Sequence, residues 1–329
     1  MLLNPLYRFI GSLLSPSGPN ARLSILIYHR VLPEIDVIFP SEVTTERFDQ
    51  QMSQLRRTFN VLPLAEAVTR LKAGTLPVRA ACITFDDGYA DNLTLALPIL
   101  QKHGLHATFF IAPHYLNGGR MFNDTVIEAI RTSRAEAIDL LALGLGQHEI
   151  GSPQAKRAAI NNILPQVKYL PLDEREEKVA ELASIVSDAP LPNDLMMTTE
   201  QLKTLHAAGM EIGGHTARHP ILAGLDDTAA LKEIADGKEI LEVMLGERIR
   251  LFAYPNGKPG IDYLPKQAAI ISKLGFDAAL STQAGTATRA SDPFQLPRFT
   301  PWHSNAGRFV PALLANLRHP VTTDANHSQ

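Results

Sequence analysis

The segment "ITFDDGYADN", residues 83 to 92, carries an apolar, strand-like run into two adjacent carboxylates, Asp86 and Asp87. An Asp-Gly pair behind such a run is also an ordinary turn, in which aspartate bonds its own backbone and glycine takes a positive φ. Two like charges in contact are unfavourable unless something positive stands beside them, and a metal ion is a common such object at a strand end. "MEIGGHTARHP" supplies matching histidines: His215 closes another apolar run and His219 follows four residues later. One helical turn over that spacing would put both imidazoles on one face. A histidine pair so spaced is more often a surface accident, but here each half ends a strand. Two histidines and one carboxylate with open positions describe a catalytic, not a closed structural, zinc-type site.

Together with "FAYPNG" (252 to 257), these segments resemble the first three motifs of the NodB-type polysaccharide deacetylases, carbohydrate esterase family four. The resemblance runs from about residue 24 to 302, apart from a helical stretch. It implies that Asp86 is the general base and that Asp87, His215 and His219 hold a divalent metal. Zn2+ is the first choice, with Co2+, Ni2+ or Fe2+ also able to accept such ligands. It further implies a backbone N–H as oxyanion donor, best matched by Asn256. The third motif usually begins with an arginine and ends in an aromatic residue; Ala253 and Asn256 stand there instead. Arg298, in "LPRF", is the candidate replacement partner for the base, its other reading being a surface ion pair.

An acid must also protonate the leaving amine. His303, in "TPWHSN", occupies the usual late position, but His29 ends the strand-like "SILIYH". The segment "ILIYHRV" resembles a permuted branch of the family seen among poly-N-acetylglucosamine deacetylases, which favours His29 as the acid over a capped strand-end histidine. The implied activity is hydrolytic N-deacetylation of an N-acetylated polysaccharide or oligosaccharide. A metal-dependent amidase acting on a small substrate and a non-catalytic glycan-binding barrel are the alternatives. Tyr89, Tyr254 and Trp302 are candidates for stacking on sugar rings.

Such residues need a scaffold that brings strand ends together. Apolar runs at 23–30, 79–88, 106–113, 210–216, 248–257, 276–282 and 294–302 alternate with helical patterns such as "TTERFDQQMSQLRRTF", which implies a parallel sheet. About seven such units suggest a barrel, and the resemblance implies a distorted (β/α)7 barrel of the polysaccharide deacetylase type. An open doubly wound sheet is the alternative, but no Gly-rich phosphate loop follows the first strands. Residues 120–190 read as consecutive helices without strands, a helical insertion expected to wall the substrate groove. The organisation is therefore an amphipathic helix over 1–20, the barrel over 21–312 with that insertion, and a flexible tail over 313–329.

The chain has 329 residues, 45% of them hydrophobic, enough for a substantial core. A net charge of −3 with mixed signs argues against a nucleic-acid partner. The single cysteine, Cys82, excludes a disulfide framework and sits in an apolar run that reads as core. No run approaches the roughly 20 apolar residues of a membrane span. The first 20 residues lack the features of a secretory signal. The expected location is the cytoplasm, with peripheral membrane contact through the first helix as the lesser alternative.

Overall fold

The computed structural model describes residues 3–301 and 306–322. In chain order the strands are β1 (Leu23–Tyr28), β2 (Asn60–Val61), β3 (Ala80–Phe85), β4 (Thr108–Ile111), β5 (Ala137–Leu140), β6 (Gly146–Glu149), β7 (Glu211–Gly214), β8 (Leu251–Ala253), β9 (Ala278–Ala284), β10 (Thr286–Ala287), β11 (Leu296–Arg298) and β12 (Pro320–Val321). Strands β11, β9, β8, β7, β4, β3 and β1 lie side by side in that order and pair in parallel. The ring closes because the Phe299 N–H donates to the Ile25 carbonyl at 2.7 Å and the Ile27 N–H donates to the Phe299 carbonyl at 3.1 Å. This is the expected distorted (β/α)7 barrel. Strand β10 pairs antiparallel with β1 and carries β12 on its other side.

The helices are α1 (Leu3–Leu14), α2 (Thr45–Thr58), α3 (Leu64–Ala73), α4 (Leu97–His103), α5 (Phe122–Thr132), α6 (Pro153–Lys168), α7 (Leu172–Val186), α8 (Thr199–Ala207), α9 (Asp227–Leu245), α10 (Pro265–Lys273) and α11 (Ala306–Asn316). Strand alternation divides the core into two layers. Ala81, Ile83 and Phe85 of β3 point outward to helices α2 and α4, where Phe85 stacks on Phe109 at 4.8 Å between ring centres. Ala80 and Cys82 point inward among Ala253, Ala278 and Leu296. Asp86 continues the inward set, so the phase of β3 delivers its carboxylate to the barrel axis.

Helix α3 lies across the amino-terminal ends of the strands. Glu211, the first residue of β7, accepts from the Leu64 and Ala65 N–H groups at its start, and Lys72 donates to the Asp277 carbonyl just before β9. With one end sealed, the chemistry has only the carboxyl ends of the strands to use.

Three features differ from the sequence reading. The stretch 120–190 is not purely helical, since β5 and β6 form an antiparallel hairpin. Exposed Ala137 and Asp139 alternate with buried Ile138 and Leu140, a period-two pattern that tertiary packing favours over helix. Residues 313–322 are not a flexible tail: Leu313 and Leu317 are fully buried and β12 pairs with β10. Residues 215–219 form no helical turn; Thr216 and His219 take positive φ values of 62° and 53°.

That loop is seated on α9. Gly237 lies so close to it that a Cβ there would come within 2.5 Å of the Thr216 carbonyl carbon and 2.8 Å of the Ala217 nitrogen. Both are backbone atoms and cannot swing aside. Gly237→Ala should therefore destabilise the fold by about 1–3 kcal/mol in urea denaturation. Gly224→Ala, where a Cβ meets open space, should be near neutral.

Candidate active site

Asp86 and Arg298 meet inside the barrel mouth. The guanidinium grips the carboxylate with both arms, Nη1 to Oδ1 at 2.7 Å and Nη2 to Oδ2 at 2.8 Å, while Nε donates to the Ser281 carbonyl at 2.9 Å. Arg298 is 1% exposed and Asp86 2%, so neither charge has water to fall back on. Burial alone would raise the Asp86 carboxyl, but the Arg298 charge outweighs it and holds the group below the usual carboxylate range. The surface ion pair considered for Arg298 is ruled out by its burial.

Asp87 turns the other way. Its φ of 80° puts it in a left-handed turn with Gly88, and its side chain meets the two histidines. Asp87 Oδ1 lies 3.4 Å from His215 Nε2 and 3.5 Å from His219 Nε2. Those separations are long for charge-assisted hydrogen bonds. They match the roughly 3.4 Å edge of a tetrahedron whose corners lie about 2.1 Å from a central ion. The candidate donor atoms of the three residues lie within 4.8 Å of one another.

The partners of the two histidines agree. His215 Nδ1 approaches the Ala253 carbonyl at 2.7 Å, and a carbonyl only accepts, so this nitrogen carries a proton and Nε2 is the atom left to face a cation. Burial pushes His219 down to about 3, holding it neutral, as a ligand must be. The three residues thus fit a divalent cation. Of the six described non-glycine residues with positive φ, four are Asp87, Thr216, His219 and Asn256. Strain of this kind gathers where the surrounding structure fixes a functional geometry.

His29 and Asn256 line the same cavity as these groups. His29 is exposed at its mouth. The Asn92 amide donates to the His29 carbonyl at 2.9 Å. The Asp91 carboxylate accepts from the Val31 N–H at 3.1 Å and pairs with Arg30 Nε at 2.8 Å. The second half of "DDGYADN" therefore holds the "YHRV" segment against the site, a function that spacing alone does not reveal. Asn256 has a φ of 58°, and its carbonyl accepts from the Thr282 hydroxyl at 2.7 Å. His303 and Trp302 lie outside the described residues.

The cavity holds about 1000 Å³, and the insertion supplies one wall, including Phe122, Asp124, Leu164, Lys168 and Tyr169. Tyr89 lines it too, donating its hydroxyl to Asp124 at 3.1 Å. Asp124 is a site residue that the sequence did not flag; burial pushes its carboxyl up to about 7. Tyr254 does not belong to the cavity. It is fully buried, stacked on Tyr263 at 3.6 Å, so its candidacy for sugar stacking fails.

Arg298→Met would leave Asp86 buried without its cation, so the protein should lose about 3–5 kcal/mol near neutral pH. The native pair contributes fully above the unfolded carboxyl pKa of about 3.9, and that contribution is lost as pH falls through the lower folded value. The gap between wild type and variant should accordingly narrow in acid, as chemical denaturation across pH would show. Asp86→Asn added to Arg298→Met should recover part of the loss.

Comparison with known proteins follows the same outline. Residues 73–152 and 175–279 match the polysaccharide deacetylase family, more than half of the chain. YxkH of Bacillus subtilis (strain 168), whose name assigns it provisionally to the polysaccharide deacetylases, is 23% identical over 280 residues, covering 84% of this chain and 71% of its own. The Streptococcus pyogenes deacetylase PplD, solved in complex with acetate, superposes with a TM-score of 0.57 at 19% identity, over 90% of this chain and 98% of that one. IcaB from Ammonifex degensii gives a TM-score of 0.57 at 21% identity, over 92% and 98%. His29 and Arg298 fall outside the matched segments, whereas the paired aspartates and both histidines lie within them. On the strength of that match, the chain belongs to the polysaccharide deacetylase family.

Proposed function

We propose that the protein is a metal-dependent N-deacetylase acting on an N-acetylated polysaccharide or oligosaccharide, releasing acetate and leaving a free amine on the sugar. The observation that carries this reading is the cluster of Asp87, His215 and His219, with Asp87 Oδ1 3.4 and 3.5 Å from the two imidazole Nε2 atoms, beside an Asp86 held by Arg298. A divalent cation held by those three residues would supply Lewis acidity, making water nucleophilic near neutral pH and polarising the amide carbonyl.

Asp86 is the base. Arg298 occupies one lone pair on each oxygen and fixes the carboxylate plane, leaving the remaining lone pairs to take a proton from the attacking water. A base with a depressed pKa is ready in its ionised form. As the carbonyl oxygen gains charge, the Asn256 N–H is the candidate donor to it. The C–N bond then breaks with a proton delivered to nitrogen, the role assigned to His29 at the cavity mouth. Among the described residues, no other histidine besides the two ligands lines the cavity. The insertion wall supports a substrate larger than a simple amide.

Metal analysis of purified variants tests the division of labour. Asp87→Ala, His215→Ala and His219→Ala should lose metal and acetate release together, while Asp86→Asn should keep the metal and lose turnover. A metal-free Asp86→Asn protein beside a metal-loaded Asp87→Ala protein would reverse the assignment. Acetate release from chitooligosaccharides and peptidoglycan, absent with small amides, would separate the glycan deacetylase from the small-substrate amidase; release from none would favour the binding barrel.

His29→Ala should lower kcat by about 100- to 10,000-fold with metal retained, less so for substrates with activated leaving groups. Asn92→Ala, which frees the His29 carbonyl, should reduce kcat in the same sense but more weakly and leave metal content unchanged.

A further inference from the structure

At the end of the barrel opposite the catalytic mouth, a second pocket of about 560 Å³ is lined by Arg8 of α1, Arg56 and Arg57 of α2, and Arg79 just before β3. Among the described residues no acidic side chain lines it. Among the described residues none of the four has a carboxylate within ion-pair distance. Arg8, Arg56 and Arg57 are exposed, whereas Arg79 is 7% exposed and held at a φ of 53°. Its side chain is fixed by the Thr58 carbonyl at 2.8 Å and by the Ser12 hydroxyl. The Thr58 hydroxyl, on the same lining, is buried without a hydrogen-bond partner.

Arg56 and Arg57 close the last turn of α2, where cations offset the helix dipole. Arg79, whose Nε reaches the carbonyl of Thr58 at the same helix end, serves it too, but that role does not account for the exposed Arg8. Arg56 also donates to the His103 carbonyl, yet four arginines that line one recess with no carboxylate beside them among the described residues make it complementary to a phosphate.

The neighbouring surface is apolar. Leu6, Phe9 and Leu13 of α1 are 50%, 63% and 68% exposed, and their spacing places them on one helical face. The opposite face is packed: Gly11 and Ser15 are buried, and Tyr7, Ile10 and Leu14 rest on the main core. Arg8 links the two features, since it lines the pocket and adjoins Phe9. An amphipathic helix with bulky apolar residues on its free face and arginines at its flank is built to lie in a lipid interface.

We propose that this end of the molecule docks on an anionic phospholipid surface, with Leu6, Phe9 and Leu13 entering the headgroup layer and the arginine pocket receiving a lipid phosphate. The catalytic cavity then faces away from the bilayer, because it lies at the other end of the strands.

Cosedimentation of the full chain with vesicles tests this without relying on the enzymatic reading. Binding is expected to vesicles of mixed phosphatidylcholine and phosphatidylglycerol but not to phosphatidylcholine alone, and should weaken as salt rises. Arg8→Gln and Arg57→Gln should each reduce partitioning about fivefold, equivalent to ~1 kcal/mol per cation near the surface. The Phe9→Ser/Leu13→Ser protein should lose binding while keeping the wild-type melting temperature. The proposal is overturned if wild type ignores both vesicles, or binds both equally. It is also overturned if the arginine variants, folded as wild type, bind the anionic vesicles undiminished.

Discussion

Much of this structure hangs on the fork between Arg298 and Asp86. Two opposite charges deprived of water are stable only if both are fully satisfied, and that requirement reaches well beyond the pair. Strand β11 must stand beside β9 with a register shift between Leu296 and Arg298. The barrel must close through Phe299, one residue further on. The interior must also stay narrow and small-sided, with Ala80, Ala253 and Ala278 along it, to leave volume for a guanidinium. Ala253 stands where the family resemblance leads one to expect an arginine. It faces the same interior, so a second long cation there would compete with Arg298 for space.

Around that fork the neighbouring residues divide into groups that face the cavity and groups that aim them. Asp91 and Asn92 reach back to the backbone around His29, and the Ala253 carbonyl sets the tautomer of His215. The Thr216 hydroxyl accepts from the His219 N–H at 3.0 Å, and Glu233 on α9 accepts from the Arg218 N–H at 2.9 Å. The first two hold the segment that follows β1 and the other three hold the loop that follows β7, so separate strand ends are brought to one cavity, as a parallel barrel allows.

The scaffold was legible because parallel strands buried on both faces read as apolar runs, and β1, β3, β4, β7, β8, β9 and β11 all announce themselves that way. The paired aspartates and both histidines were legible because their residue types are uncommon at strand ends without a reason. The shape of the 215–219 loop was not. Its left-handed residues are imposed by Gly237 and Glu233, more than a dozen residues downstream, and no local pattern encodes them. The β5–β6 hairpin was hidden for a related reason: "AEAIDLLALGL" is rich in good helix formers, and only packing onto Ile160 and its neighbours selects the strand. Tyr254 misled because an aromatic residue beside a motif is as readily core as lining.

The insertion has a core of its own, built from Phe122, Val126, Ile138, Ile160, Ile163 and Leu182 and distinct from the two cores of the barrel. Separate cores make separate cooperative units, each with its own opening free energy. Amide hydrogens in α5, α6 and α7 can therefore exchange with solvent through excursions that leave the barrel strands protected. Sequence drift there is likewise screened from Asp86 and Arg298. The wall of the cavity is free to vary at a pace that its floor, where the buried Asp86–Arg298 pair must stay matched, cannot follow.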